Sequence, residues 1–144
     1  MKGKKPFFDT NVLVYAYSDD LRKGKAELLI EAGGRIGVQQ LNEFISVARQ
    51  KFRRSWTEIL TVLSDLRLFC PDPVPITLTL HQTALGICER YEYNIYDSLV
   101  IAAALQTSCD VLYTEDMRDG QKIESLIIRN PFSVKGHQLI DAGA

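Results

Sequence analysis

The chain has 144 residues, 46% hydrophobic and 24% charged, with a formal net charge of −1. That length suits a single domain with a sizeable core, and the near-neutral charge advertises no global basic field for nucleic acid. No apolar run reaches bilayer-spanning length, and "MKGKKPFF" before Asp9 holds no apolar stretch of signal-peptide size. The expectation is a cytoplasmic protein forming one domain over residues 1–144, with its core at about 6–132 and a short tail over 133–144.

Cys70, Cys88 and Cys109 are odd in number and form no CxxC pair, which argues against zinc knuckles and thioredoxin-like redox chemistry. They read as free thiols among apolar neighbours. His81 and His137 have no ligand-spaced partner, so HExxH-type zinc chemistry is not supported either.

Short apolar runs alternate with longer helical patterns, the signature of a parallel sheet flanked by helices. "KPFF" predicts a first strand and "VLVYAY" a short helix. Asp19 and Asp20 can cap a helix through "LRKGKAELLIEA", ended by Gly33 and Gly34. "RIGV" predicts a second strand, followed by a helix from about Gln39 to Phe52. Ser55 and Glu58 form a capping box for a helix to about Leu68. "RLFC" is a third strand candidate ahead of the turn-rich "PDPVP". Thr79 and Gln82 can open a helix to about Tyr91, and "IYDSLVIAAALQT" predicts another. "DVLYT" and "SLIIRNPF" predict the last strands.

In open α/β sheets the ligand site lies beyond the carboxyl ends of the strands. Asp9 ends the first strand, with Thr10 beside it, and Asp116 follows "DVLYT", with Thr114 before it. Glu43 falls in the first turns of the helix after "RIGV", on the polar stripe opposite Leu41, Phe44, Ile45, Ala48 and Phe52. Asp97 opens a helix that is apolar all round from Leu99 to Leu105. Each acid has an ordinary explanation taken singly: an N-cap for Asp9, a solvated face for Glu43, a dipole partner for Asp97, a turn residue for Asp116. Four of them at one sheet edge is far less expected. Clustered carboxylates raise one another's pKa unless a cation sits among them, and oxygen donors without His or Cys select a hard ion, Mg²⁺ or Mn²⁺.

Together, "FFDTNVLVYAYS", the acid in "LNEFISV", "YDSLVIAAAL" and "VLYTEDMRDGQ…LIIRNPF" resemble PIN-domain proteins, and most closely the VapC-type toxins of type II toxin–antitoxin pairs. The likeness runs from about Pro6 to Phe132. It implies a Rossmann-like three-layer α/β/α sandwich with a parallel sheet of four or five strands. It also implies a Mg²⁺- or Mn²⁺-dependent endoribonuclease whose four acids match Asp9, Glu43, Asp97 and Asp116. The loop "TEDMRD" offers Glu115 and Asp119 as well, and Glu115 departs modestly from the family pattern, so the fourth ligand stays open among the three. Metal-activated water would cut RNA to leave a 5′-phosphate and a 3′-hydroxyl. Thr10, Asn11, Thr114 and Asp119 would hold the carboxylates in place. A homodimer and a cognate antitoxin protein are implied as partners, with no membrane.

Setting the four acids aside leaves 14 against 17 basic residues, a remainder of +3. "RQKFRRSW" supplies Lys51, Arg53, Arg54 and Trp56 as a candidate RNA grip. The equal alternative is a helix–helix corner with Phe52 and Trp56 packed inward. A phosphatase of the haloacid-dehalogenase kind is disfavoured because Asn11 stands where its second Asp is needed. A phospho-accepting receiver lacks its acidic pair and late lysine here. A PIN-like module that binds without cutting remains the non-enzymatic rival.

Overall fold

The computed structural model describes residues 5–133. His137 and all of the expected tail beyond Ser133 fall outside the described residues. The elements in chain order are β1 (Pro6–Phe8), α1 (Thr10–Ala16), α2 (Lys23–Glu31), α3 (Val38–Gln50), α4 (Trp56–Phe69), α5 (Leu78–Tyr91) and α6 (Ile95–Gln106). They are followed by β2 (Val111–Tyr113), β3 (Lys122–Ile123) and β4 (Leu126–Arg129).

The four strands form one sheet in the order β1-β2-β4-β3. β1 and β2 are parallel, as are β2 and β4. The two-residue β3, which the sequence did not announce, pairs antiparallel with β4. The register pairs Phe7 with Leu112 and Leu112 with Ile128. Because side chains alternate across a sheet, this row lies on one face. It packs with Val100, Ile101, Leu80 and Ala84 of α6 and α5. Phe8, Val111 and Tyr113 face the other way, onto Val12, Leu13, Ile30, Phe44, Ile59 and Leu66 of α1 to α4. Helices thus cover both faces, the sandwich expected, and a row of fully buried Phe, Leu and Ile side chains binds each layer to the sheet. Each such side chain is worth roughly 1.5–3 kcal/mol of burial.

Four local readings change. "RLFC" is helical: α4 continues through Phe69, and the Cys70 N–H reaches the Leu66 carbonyl at 2.7 Å. Its buried residues Ile59, Leu66 and Cys70 stand seven and four apart, a helical period that overrides the strand-like look of the last four residues. "RIGV" gives only two isolated bridges, Arg35 to Phe7 beside β1 and Gly37 to Val74. Gly37 is already the N-cap of α3, so the extended stretch has no room to lengthen. The cap of α5 is Thr77, whose hydroxyl accepts the Leu80 N–H at 3.0 Å, leaving Thr79 inside the helix. Asp20 likewise receives the Arg22 N–H at 2.9 Å in the turn before α2, rather than capping the helix itself. The Ser55–Glu58 capping box is present in both directions, at 3.1 and 3.0 Å.

All three cysteines are free; Cys70 and Cys109 are buried and Cys88 is half-buried. Among the described residues no helix is long and apolar enough to cross a membrane.

Candidate functional site

Two parallel strands deliver their chain ends to the same edge. The Asp9 N–H donates to the Tyr113 carbonyl at 3.0 Å, and the Thr114 N–H to the Arg129 carbonyl at 3.0 Å, so the ladder runs past the named strands. Asp9 and Thr114 therefore lie side by side where β1 and β2 finish. Asp9 then serves as N-cap of α1, its Oδ1 accepting the Thr10 N–H at 2.7 Å. Its Oδ2 accepts the Thr114 hydroxyl at 2.8 Å. Both residues are buried, Thr114 completely.

The same hydroxyl is a junction. Thr114 Oγ1 accepts from Asn11 Nδ2 at 3.3 Å and from the Asp116 N–H at 3.1 Å. Asn11 also donates to Asp116 Oδ2 at 3.1 Å. On the other side, the Thr10 hydroxyl donates to Glu43 Oε1 at 3.0 Å, and Gln39 Nε2 reaches that oxygen at 3.4 Å along α3. Asn94 caps α6 by accepting the Asp97 N–H at 2.8 Å, and its amide donates to Asp97 Oδ2 at 3.3 Å. Every one of the four carboxylates has at least one side-chain or backbone donor fixing it.

Electrostatics tie the four together. Burial pushes the Asp9 carboxyl up to about 6; Thr114 and the Thr10 amide pull it back, while Glu43 and Asp97 push it further. Burial also raises Asp97, followed by the charges of Asp116 and Glu43, against the opposing bond from Asn94. The charges acting on these two groups are all negative. Such an arrangement is unfavourable unless a cation joins it. Among the described residues, no group of three or more His, Cys, Asp or Glu side chains is placed to hold a metal ion.

The loop after β2 resolves its own acids by where they point. Glu115 turns away into a cluster: the Tyr15 hydroxyl donates to it at 2.5 Å, and Arg22 Nη1 donates to both of its oxygens at 3.0 and 2.8 Å. Arg22 further donates to the Tyr15 hydroxyl at 2.6 Å and, through Nε, to Asp20 at 2.8 Å. Asp119 accepts the Asn130 N–H at 2.9 Å, which pins the loop to the end of β4. It does not touch the carboxylates it was expected to hold. Of the three carboxylates, Asp116 is the one that accepts from Asn11 and acts on Asp97, while Glu115 meets Asn11 only through its backbone N–H, at 3.3 Å from Asn11 Oδ1.

The PIN domain family model matches residues 7–122, well over half of the chain. The chain belongs to the PIN domain family. Solved structures share its fold. A toxin–antitoxin complex from Klebsiella pneumoniae has a TM-score of 0.70 at 18% identity, covering 90% of this chain and 100% of that one. VapC20 of Mycobacterium tuberculosis, described as a toxin that cleaves the Sarcin-Ricin loop, gives 0.61 at 18% identity, covering 78% of this chain and 90% of that one. VapBC2 from Rickettsia felis, bound to a DNA fragment from its promoter, gives 0.60 at 19% identity over 87% of this chain and 97% of that one. No curated protein sequence matches.

Within this PIN domain, the basic stretch joins the end of α3 to the start of α4. Trp56 is 54% exposed under the Arg49 guanidinium, Lys51 stands over the half-buried Phe52, and Arg54 pairs with Glu58 at 3.4 Å. The corner with both aromatics packed inward does not hold: Phe52 turns partly inward and Trp56 outward. Val14 and Tyr17 pack partly against the core, Tyr17 edge-on to Phe44. Sequence reasoning missed Tyr15 and Arg22, whose partner Glu115 lies about a hundred residues on. It also missed Asn94, although an Asn three residues before an acid at a helix start is a capping signal.

Proposed function

We propose that this PIN domain is a metal-dependent endoribonuclease that cuts RNA by water attack at phosphorus, leaving 5′-phosphate and 3′-hydroxyl ends, and that it is the toxin of a toxin–antitoxin pair. The observation that carries the reading is the set of four carboxylates: Asp9, Glu43 and Asp116 share one hydrogen-bonded edge through Thr10, Asn11 and Thr114, and Asp97, held by Asn94, feels the charges of Asp116 and Glu43. Family membership and the likeness to toxin structures support it. The cytoplasmic, single-domain chain bound by an antitoxin, and its pairing into a homodimer, belong to the same proposal.

The donor set fits Mg²⁺ or Mn²⁺. Such ions take hard oxygen donors, and Mg²⁺ in particular is content with one or two carboxylates plus waters, so a fully closed shell is not required. Bound there, the ion would polarise the phosphodiester and lower the pKa of water. The chain's own contribution is positional. Thr114 and the Thr10 amide fix Asp9, one on each carboxylate oxygen. Thr10 orients Glu43, Asn94 orients Asp97 and Asn11 orients Asp116. Glu43, half-buried on α3, completes the donor set or aligns the attacking water. Among the three loop acids Asp116 is assigned as the fourth ligand, because Glu115 is neutralised by Arg22 and Asp119 is committed to the Asn130 amide.

The test is RNA cleavage by purified protein free of any antitoxin. Structured and unstructured RNAs should be cut with Mg²⁺ or Mn²⁺, with 5′-phosphate ends, and should survive in EDTA. A folded protein that cuts none of them with either metal would contradict the reading and favour a binding-only module.

A further inference from the structure

The acids need a substrate whose charge they repel, so something beside them must hold it. One exposed cation stands close to the site without a carboxylate partner among the described residues. Arg118 lies two residues beyond Asp116 in the loop after β2. Its guanidinium sits 4.7 Å from the centre of the Tyr93 ring. That ring is itself locked: the Tyr93 hydroxyl donates to Gln121 Oε1 at 2.6 Å and accepts the Arg118 N–H at 3.2 Å. Stacking occupies the flat face of a guanidinium and leaves the N–H edge free for a phosphate.

Tyr93 directly precedes Asn94, the residue that holds Asp97. Two residues further on, Tyr96 lies in the first turn of α6, next to Asp97, and is 66% exposed. Its hydroxyl has no hydrogen-bond partner among the described residues. A ring left in water at this position offers a flat surface for a base. The competing basic stretch is less free, since Arg54 is paired with Glu58 and Arg49 donates to the Arg54 carbonyl at 3.0 Å.

We propose that Arg118, stacked on Tyr93, grips a backbone phosphate of single-stranded RNA flanking the cut, and that Tyr96 stacks the adjacent base. The proposal rests on the nuclease reading and names its substrate contact. The loop that supplies Asp116 therefore also supplies the grip, and α6 supplies both an acid and a stacking surface.

The experiment is anisotropy of a fluorescent single-stranded RNA titrated with Asp97→Asn protein in Mg²⁺ across a range of salt, alongside cleavage by the wild type. Arg118→Ala should weaken binding and flatten the plot of log affinity against log salt by about 0.7, the increment for one phosphate contact on a single strand. Arg118→Lys should restore the slope. Tyr96→Ala should weaken binding about fivefold or more with the slope unchanged. Arg67→Ala, an exposed cation on α4, should change neither. In the cleaving protein, Arg118→Ala should raise KM with kcat retained. Thermal melts confirm that each variant is folded.

If the parent binds and the wild type cuts, yet both variants match it, the RNA contact is overturned while the nuclease stands, and the patch becomes a protein-contact surface. Loss of affinity on Lys51→Ala and Arg53→Ala instead would overturn it in favour of the α3–α4 corner. If the wild type neither binds nor cuts any RNA, the nuclease reading falls and this contact with it.

Discussion

The Thr114 hydroxyl donates to Asp9 Oδ2 at 2.8 Å, joining two residues 105 positions apart in the chain. It exists because β1 and β2 are parallel and in register, so the residue after each strand arrives at the same edge. Thr114→Val should remove the donor and leave a buried carboxylate oxygen unpaired, at a cost of about 1–3 kcal/mol. Because that bond lowers the Asp9 pKa, the acid limb of the pH–activity profile should move to higher pH. Thr114→Ser should stay close to the wild type. Urea unfolding and the pH profile read both effects, and an unchanged profile would detach Thr114 from Asp9 in function.

Asp9 is held above its ordinary range, from 3.8 to about 6, chiefly by burial. Between those pH values the folded protein binds more protons than the unfolded chain, so this group makes the metal-free protein less stable as pH rises from about 4 to 6. The whole penalty, about 3 kcal/mol, is present above pH 6 and absent below about 4. Asp9→Asn should therefore be more stable than the wild type at pH 7.5, with the gap closing by pH 4, while activity is lost. Denaturant titrations at both pH values decide it; a gap that does not change with pH would count against the raised carboxyl.

Glu115 departs from the family pattern and, in the fold, anchors the loop that carries Asp116 to Tyr15 and Arg22. Glu115→Gln and Arg22→Ala should each weaken Mn²⁺ binding severalfold by loosening that loop, and the double variant should be no worse than either single one. Additive losses would show that the two residues act separately. Calorimetric Mn²⁺ titrations of the three proteins make the comparison.

Gly34 lies beside β1, and a Cβ there would meet Phe8 Cε2 at 2.6 Å and the Pro6 carbonyl oxygen at 2.8 Å. The carbonyl is part of the Arg35 bridge and cannot move without breaking it. Gly34→Ala should cost roughly 1–3 kcal/mol of stability through overpacking, read as a lower melting temperature. A neutral result would mean that the chain at Arg35 is only loosely held to the sheet.

How far the sequence foretold this molecule depended on the range of the signal. Asp9, Glu43, Asp97 and Asp116 could be located because each sits at a strand end or helix start, where local pattern is strongest. The Ser55–Glu58 box was legible for the same reason. "RLFC" misled because four apolar-rich residues look alike as strand or helix, and only the spacing back to Ile59 and Leu66 separates them. β3 is two residues long and owes its existence to the turn at Glu124, which adopts a left-handed backbone with φ of 54°; no hydrophobic run marks it. No local pattern separates Glu115, Asp116 and Asp119: the contacts that distinguish them, Tyr15 and Arg22 on Glu115 and the Asn130 N–H on Asp119, come from residues outside the loop.

The proposed nuclease depends on the four carboxylates acting as one metal site. Its most direct measurement is calorimetric titration of Mn²⁺ into the wild type and into Asp9→Asn, Glu43→Gln, Asp97→Asn and Asp116→Asn at pH 7.5. The wild type should bind saturably and the Asp9, Asp97 and Asp116 variants at least tenfold more weakly, on the scale by which even supporting contacts change metal affinity. Wild-type protein that binds no Mn²⁺, or variants that all bind it equally well, would contradict it.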